Sequence, residues 1–267
     1  MIRVVVCGAM GRMGKAVLAV LRERAHGCVL AGAVEAARHP ALGRDAFEAA
    51  GLGRADVPVS DDFARAIAEA DVAVDFTHAA SSVDHARAAA AAGKAIVIGS
   101  TGFTAEQTGA VRTAAGSVPC VLSPNMSVGV NLMFKTAADV AKVLGDEYDV
   151  EIVEVHHRFK KDSPSGTAVK LADAVAGALG RTMEDAGVYG RQGMVGERSR
   201  KEIGVFAVRA GDVVGEHTIV FGGMGERLEI THRAHSRDTF ARGAVRAAAW
   251  VAGKPPGLYD MKAVLGL

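Results

Sequence analysis

Two adjacent histidines stand in a short cationic segment, EVHHRFKKDSPSGTAVK, that runs into the start of a helix. The ordinary pKa of histidine lies nearest to neutral pH, so His156 suits proton transfer, and Lys160 adds a fixed positive charge or a second proton. Gly166 and Thr167, at the helix start, supply backbone N–H groups and a hydroxyl that can hold a carboxylate. The segment therefore indicates an anion-binding helix end that follows a pair of proton-transfer groups.

The strand that carries this segment decides which side chains face each other. If it runs regularly, His156, Arg158 and Lys160 lie on one face and the residues between them on the other. Two other interpretations stay open, namely ordinary polar residues at a strand end and a metal site. No cysteine or H-x-x-x-H partner accompanies the histidines, and His232 and His235 make only a weak ligand pair, so we expect no metal.

A glycine-rich loop, VVVCGAMGRMGKAV, follows the first predicted strand and opens a helix. Gly8, Gly11 and Gly14 would let the backbone turn tightly and approach a pyrophosphate, which the helix start would bind. The spacing is G-x-x-G-x-x-G instead of G-x-G-x-x-G, so a purely structural turn is the alternative. Glu35 at the end of the second strand, where a carboxylate would meet the ribose hydroxyls, favours dinucleotide binding.

Small and polar residues follow two later strands. They are Gly99, Ser100 and Thr101 in VIGSTGF and Ser123 to Met126 in VLSPNMS. Ligands of open α/β sheets bind at the carboxyl ends of the strands, so these segments support the same site. Taken singly, each is also compatible with an ordinary turn.

The first half of the chain alternates short β-branched runs with helical stretches. The predicted strands are IRVVVC, CVLAGAV, VAVDF, KAIVIG and PCVLS, and the helices include SSVDHARAAAAAG with a serine cap and TAEQTGAVRTAAG with a capping box. This alternation predicts a Rossmann-like, doubly wound parallel sheet with helices on both faces, over residues 1–126.

The second half predicts an α+β domain with a mixed or mostly antiparallel sheet, over residues 127–235. Its elements are a long helix from SVGVN to KVLG, the strand DVEIVEVHHR, a helix over 166–179, two strands around a turn at Gly211 and Asp212, and the strand ERLEITHRA. Residues 184–202 predict a long mobile loop, and the C-terminal helical segment 236–267 is expected to pack back on the first domain.

The composition excludes several classes of protein. Of the 267 residues, 49% are hydrophobic and 23% charged, which is typical of a globular chain, and a net charge of +1 gives no reason to expect nucleic acid or a membrane surface as partner. No apolar run reaches the roughly 18 residues of a membrane span, and the first residues lack the features of a signal peptide. Three sparse cysteines, Cys7, Cys28 and Cys120, indicate reduced, buried thiols and a cytoplasmic location.

Six segments along the whole chain together resemble the 4-hydroxy-tetrahydrodipicolinate reductase, or dihydrodipicolinate reductase, family. They are GAMGRMG, IGSTGF, SPNMSVGVN, EVHHRFKKDSPSGTA, the stretch from RAGDVVGEH to GAVRAAAW, and GLYDM. The resemblance implies reduction of a cyclic unsaturated dicarboxylate to tetrahydrodipicolinate with NADH or NADPH, in the diaminopimelate route to lysine. It also implies a homotetramer built through the second, substrate-binding domain.

The resemblance assigns roles position by position. It places the adenosine half of the cofactor on Gly8, Ala9, Met10, Gly11, Arg12, Met13 and Glu35, and the nicotinamide beside Gly99, Ser100, Thr101, Ser123, Pro124, Asn125 and Met126. It makes His156 a proton donor and acceptor, Lys160 a proton donor, and His157, Gly166 and Thr167 substrate-binding residues. Ser100 stands where threonine is common, and Ala36 where arginine is often found, which bears on cofactor choice.

Two alternatives stay open. One is another two-domain nicotinamide oxidoreductase, such as an aspartate or homoserine dehydrogenase. The other is a dinucleotide sensor without catalytic activity, against which the intact His156, Lys160, Gly166 and Thr167 argue.

Overall fold

The chain divides into two compact units in a computed structural model that describes all 267 residues. Unit 1 comprises Met1–Val128 together with Arg237–Leu267, and unit 2 comprises Gly129–Ser236. Each unit has its own buried apolar core.

Unit 1 is built on a seven-stranded, entirely parallel sheet. Its strands are β1 (Ile2–Cys7), β2 (Cys28–Val34), β3 (Val59–Ser60), β4 (Val72–Asp75), β5 (Ala95–Ile98), β6 (Pro119–Leu122) and β12 (Gly257–Tyr259). They lie in the order β12-β6-β5-β4-β1-β2-β3. Successive strands are added on one side of β1 up to β3 and on its other side from β4 onwards. The strand order therefore changes direction between β1 and β4, and open parallel sheets bind ligands at such a point.

Helices cover both faces of this sheet. They are α1 (Arg12–Arg22), α2 (Ala46–Ala49), α3 (Phe63–Ala68), α4 (Ala79–Ala91), α5 (Ala105–Ala115), α9 (Asp238–Val251) and α10 (Met261–Leu265), numbered with those of unit 2 in chain order. Side chains alternate along β1, so Val4 and Val6 pack with α1 and α9, whereas Val5 and Cys7 pack with α3, α4 and α5. Burial on both faces explains the continuous apolar runs of these strands.

Two helix starts test the predicted caps. The capping box of α5 is confirmed, because Thr104 and Gln107 each accept the other's backbone N–H. The serine cap predicted for α4 is wrong, since the helix begins at Ala79 and the ring of His78 accepts the N–H of Ser81.

Unit 2 contains a five-stranded mixed sheet covered by helices. Its strands are β7 (Asp149–His156), β8 (Gly187–Val188), β9 (Ile203–Arg209), β10 (Gly215–Gly222) and β11 (Arg227–Ala234), and its helices are α6 (Val128–Leu144), α7 (Gly166–Ala178) and α8 (Met183–Ala186). The order is β11-β10-β7-β9-β8, with β7 parallel to β9 and antiparallel to β10. The two sheets confirm the predicted fold class.

The sequence predicts a hairpin around the turn at Gly211 and Asp212, and this prediction is wrong. Instead β7 lies between β9 and β10, and residues 210–214 cross over its end. The crossing is held by backbone bonds from Ala210 N–H to the His156 carbonyl (2.9 Å) and from Arg158 N–H to the Gly211 carbonyl (3.1 Å). A five-residue connection is long enough to span two strand spacings, so the turn residues mark a crossover.

The segment 184–202 is more ordered at its start than a simple loop, because it contains the end of α8 and all of β8. The remainder has no regular element but is tied to β7 by ion pairs, from Arg191 to Glu151 (2.8 Å) and from Arg198 to the same carboxylate (3.2 Å). None of the helices in either unit combines the length and apolar character that a membrane span requires.

Candidate active site

The site in unit 2 lies where the buried face of β7 changes from apolar to polar side chains. Alternate residues of this strand are buried, so Val150, Ile152, Glu154 and His156 point to the same side. The first two belong to the apolar core, whereas the last two place a carboxylate and an imidazole at the carboxyl end of the strand.

Glu154 is fully buried and accepts hydrogen bonds from three different elements. The guanidinium of Arg209 on β9 donates to both carboxylate oxygens, at 2.9 and 2.8 Å. The backbone N–H of Ser165, just before α7, donates at 3.0 Å, and Nδ1 of His156 bonds to Oε2. Glu154 therefore connects the histidine to the start of α7.

These contacts fix the charges of the pair. Burial raises the pKa of Glu154, but hydrogen bonds from Arg209, His156 and Ser165 outweigh it and leave this pKa below its ordinary value. Burial lowers the pKa of His156 and outweighs the effect of the neighbouring carboxylate. At neutral pH the glutamate is ionised and the imidazole is neutral.

The start of α7 has the features of a carboxylate site. The hydroxyl of Ser165 accepts the N–H of Ala168 (3.1 Å) and lies 3.0 Å from Nε2 of the buried His217 on β10. A side chain added at Gly166 would enter open space, and Thr167 follows it in the first turn. The helix dipole and the first N–H groups of α7 thus favour an anion at this end.

The other predicted residues of the segment lie in a turn, because β7 ends at His156. The expected regular alternation through Lys160 is therefore wrong. Lys160 pairs through Nζ with Asp162 at 2.9 Å, and it lowers the pKa of that carboxyl group. His157 has a buried Nδ1 without a hydrogen-bond partner, which leaves a polar atom available to a ligand.

The glycine loop of unit 1 stands at the carboxyl end of β1. Gly8 adopts φ +65°, and a Cβ there would lie 3.0 Å from Cγ2 of Thr77. A Cβ at Gly14 would come within 2.1 Å of the Gly8 carbonyl oxygen, so only glycine lets α1 begin so close to the strand. Gly11 precedes α1 without any side-chain cap, which leaves the first N–H groups of the helix available to a phosphate.

The acidic residue after β2 contacts this loop directly. Oε1 of Glu35 accepts the backbone N–H of Met10 at 2.7 Å, and Oε2 accepts that of Ala36 at 3.1 Å. Arg12 is exposed at the start of α1, whereas Ala9 is buried and donates its N–H to the Val34 carbonyl. Met13, in the first turn of α1, packs against the core.

The two later segments also end parallel strands of this sheet. At Gly99, a Cβ would lie 2.2 Å from the ring of Phe76, so the close approach requires glycine. Thr101 follows as an exposed residue. Ser123 and Asn125 form a local turn with Pro124 between them, in which the serine hydroxyl donates to the backbone carbonyl of Asn125 at 2.9 Å. Met126 is buried in the core.

Sequence reasoning missed a chain of buried and partly buried polar side chains that leads to Ser100. The Ser100 hydroxyl accepts that of Ser82 (2.8 Å), which lies 3.5 Å from the Thr77 hydroxyl. Asp75 accepts the Thr77 hydroxyl (2.6 Å) and contacts Nδ1 of His85 (2.8 Å). Possible ligand atoms of Cys7, Asp75 and His85 also lie within 4.8 Å of one another, close enough to share a metal ion. Their hydrogen bonds already satisfy both carboxylate oxygens without an ion.

Comparison with known proteins covers both units. The models described as the N-terminus and C-terminus of dihydrodipicolinate reductase match residues 2–126 and 129–265. The chain belongs to the dihydrodipicolinate reductase family. The 4-hydroxy-tetrahydrodipicolinate reductases of Anaeromyxobacter dehalogenans (strain 2CP-1) and Syntrophus aciditrophicus are 58% and 55% identical to it, over 100% of this chain and 98% and 99% of theirs.

A solved structure agrees at the level of the fold. Dipicolinate-bound dihydrodipicolinate reductase from Paenisporosarcina sp. TG-14 has a TM-score of 0.76 and 26% identity, with 97% of each chain covered. The family resemblance read from the six segments is thereby confirmed.

Within this reductase fold, the structure brings some predicted residues together and adds others. Unit 1 gathers the glycine loop and Glu35, and unit 2 gathers His156 and the start of α7. Sequence reasoning missed Glu154, Arg209 and His217. The alternation E-V-H in β7 could have revealed the first of them, whereas the other two depend on which strands flank β7.

Proposed function

We propose that this chain reduces 4-hydroxy-tetrahydrodipicolinate to tetrahydrodipicolinate with NADH or NADPH, in the diaminopimelate route to lysine. The observation that carries the proposal is that the buried carboxylate of Glu154 is hydrogen-bonded to both the neutral His156 and the Ser165 N–H at the start of α7. The chain also matches the reductase family over both units. This arrangement suits an anionic substrate that must gain a proton.

The start of α7 and His157 would hold the carboxylates of the substrate. Gly166 leaves room above the first turn, Thr167 brings a hydroxyl, and the unpartnered Nδ1 of His157 offers a further polar contact. The reductase from Paenisporosarcina is described as bound to dipicolinate, which is a planar dicarboxylate. We therefore propose a cyclic dicarboxylate as the small-molecule partner.

The residues of unit 1 fit a nicotinamide dinucleotide. Gly8 and Gly14 leave no room for a Cβ, and α1 begins without a side-chain cap, as a pyrophosphate site requires. The dinucleotide would lie on Gly8 to Met13 and Glu35, with its nicotinamide beside Gly99 to Thr101 and Ser123 to Met126. When bound in reduced form, it supplies the hydride.

Unit 2 supplies the residues that transfer the proton. The neutral imidazole of His156 can accept a proton and return it, and the ammonium group of Lys160, which pairs with Asp162 at 2.9 Å, can donate one. We assign His156 as proton donor and acceptor, and Lys160 as proton donor.

The proposal is tested by following NADH oxidation with the freshly made product of the preceding synthase. We expect turnover by the unmodified protein, and a loss of about 10²–10⁴-fold in kcat for His156→Ala and for Lys160→Ala with NADH affinity nearly unchanged. Exposed Lys142 on α6 provides the control, Lys142→Ala, which should keep full activity. NADH binding without turnover would support a sensor, and turnover only with an aspartate-pathway aldehyde would support another oxidoreductase.

The assembly and the location are further proposals. We propose a homotetramer formed through unit 2, as the family resemblance implies. The cytoplasmic location expected from the cysteines stays a prediction.

A further inference from the structure

We propose that Glu154, held by Arg209, is a positioning residue that fixes the tautomer of His156, and that Gly215 keeps the other ring nitrogen accessible. This inference rests on the proposed reductase function, because it explains how His156 is prepared for proton transfer.

The first step is the set of donors around the carboxylate. Oε2 of Glu154 accepts from Arg209 Nη1 at 2.9 Å and contacts Nδ1 of His156, while Oε1 accepts from Arg209 Nη2 at 2.8 Å and from the Ser165 N–H at 3.0 Å. An ionised carboxylate can only accept, so Nδ1 of the neutral imidazole must carry the hydrogen. The lone pair then lies on Nε2.

The second step concerns what surrounds Nε2. A Cβ at Gly215, the first residue of β10, would lie 2.9 Å from Nε2 and 3.3 Å from Cδ2 of His156. The absence of a side chain at this position keeps the reactive nitrogen free of contact on that side. The nearest aromatic ring, that of His217, meets His156 edge to face at a centroid distance of 5.2 Å.

The third step is the role of Arg209. It lies opposite His156 in the β7–β9 register, and it donates to Glu154 through both terminal nitrogens. Its charge keeps the buried carboxylate ionised, so the proton stays on the ring instead of moving to the glutamate. A further hydrogen bond, from Nη2 to the Asp162 backbone carbonyl (2.7 Å), connects the turn that carries Lys160 to the same guanidinium.

The decisive variant is Glu154→Gln, which replaces one carboxylate oxygen by a donor. If the amide NH2 takes the Oε1 position, it faces the donors of Arg209 and Ser165, and neither of these can become an acceptor. In the Oε2 position it would face Arg209 and His156, and the imidazole can respond by moving its hydrogen to Nε2. We therefore expect the variant to hold His156 in the opposite tautomer.

The tautomer can be read without any catalysis, by solid-state nitrogen-15 spectroscopy of histidine-labelled protein at neutral pH. The His156 signals are assigned by their loss in His156→Gln. We expect hydrogen on Nδ1 in the unmodified protein and on Nε2 in Glu154→Gln, with no change in Glu216→Gln, which alters a partly exposed glutamate on β10. A hydrogen on Nδ1 in both Glu154→Gln and the unmodified protein overturns the inference.

Kinetics provide the second readout. We expect kcat of Glu154→Gln to fall by about 10²-fold or more, because Nε2 can no longer accept a proton, with little change in the dissociation constant of NADH. Glu154→Asp, which keeps the charge, should recover part of this loss. A tautomer change with kcat intact would also overturn the inference.

If Glu154→Gln does not fold, Gly215→Ala tests the same geometry from the other side. The added methyl group would stand against Nε2, so kcat should fall while the Nδ1 hydrogen is retained. Full activity in this variant would contradict the inference. Failure of the unmodified protein to turn over the dicarboxylate would instead contradict the proposed function, and the spectroscopic result would still decide the role of Glu154.

Discussion

At the scale of single residues, Glu35 lies beside the glycine loop, where we propose that it contacts the adenosine ribose of the cofactor. Its carboxylate is held by the N–H groups of Met10 and Ala36, so its negative charge has a defined place beside the glycine loop. A carboxylate there can accept hydrogen bonds from ribose hydroxyls and repels a 2′-phosphate. Exposed Arg12 and Arg38 carry the positive charge that could offset this repulsion.

We predict that NADH serves at least as well as NADPH and that Ala36→Arg raises kcat/KM for NADPH about tenfold or more. A charge-assisted contact to the 2′-phosphate contributes about 1.5–3 kcal/mol, whereas NADH offers no partner for the new guanidinium. The measurement is the ratio of kcat/KM for the two cofactors at fixed ionic strength. Ala91→Arg, at an exposed position of α4, is the matched control.

A preference of the unmodified protein for NADPH by more than tenfold would contradict this prediction. It would mean that Arg12 or Arg38 already binds the phosphate.

At the scale of elements, the periodicity of the sequence was sufficient for the longer strands and helices. It did not reveal the short elements β3, β8, β12, α2, α8 and α10, or the strand order of the second sheet. The run CVLAGAV predicts β2 with its observed bounds, because a strand buried on both faces leaves a continuous apolar pattern. Strand neighbours depend on contacts between distant segments, and the turn at Gly211 looks the same in a hairpin and in a crossover.

The same limit applies to the candidate site. The residues that lie in one segment, from His156 to Thr167, could be found by their types and spacing. Arg209 and His217 reach Glu154 and Ser165 only because β9 and β10 flank β7 on opposite sides. No local pattern carries that information.

The position of His217 on β10 also has a consequence for stability. Burial is the main reason that its pKa is lowered to about 3. His156 lowers it as well once that imidazole is protonated at low pH, whereas Glu154 acts in the opposite direction. The ordinary pKa of histidine is about 6.5. As pH falls from there towards 3, the unfolded chain binds a proton that the folded chain excludes, so folding stability decreases as pH falls.

We predict that the free energy of unfolding falls between pH 6.5 and 5 and that His217→Asn makes this dependence shallower. One proton corresponds to about 1.4 kcal/mol per pH unit, and His156 and His232, whose pKa values are also lowered, contribute in the same direction. Urea unfolding at fixed protein concentration measures the slope, with His26→Asn as the exposed control. An equal slope in His217→Asn and the unmodified protein would contradict the prediction.

At the scale of the whole molecule, exposed apolar side chains are concentrated in unit 2. Large hydrophobic residues that are exposed there include Tyr189, Met194, Val208, Met224 and Leu228, whereas unit 1 exposes only Met1, Leu258 and Leu267. Large exposed apolar patches on proteins mark interaction sites, so unit 2 is the part of the chain whose apolar surface favours burial against another subunit.

We predict that the protein assembles as a tetramer through unit 2, with a mass of about four chains of 27.5 kDa. The double substitution Val208→Glu with Leu228→Glu places charges on two exposed positions of β9 and β11, so it should shift the equilibrium towards smaller species. Leu258→Glu makes the same change at the exposed position of β12 in unit 1, and it should leave the mass unchanged. Light scattering after gel filtration measures all three proteins at one concentration. A monomeric unmodified protein, or dissociation caused by Leu258→Glu alone, would contradict assembly through unit 2.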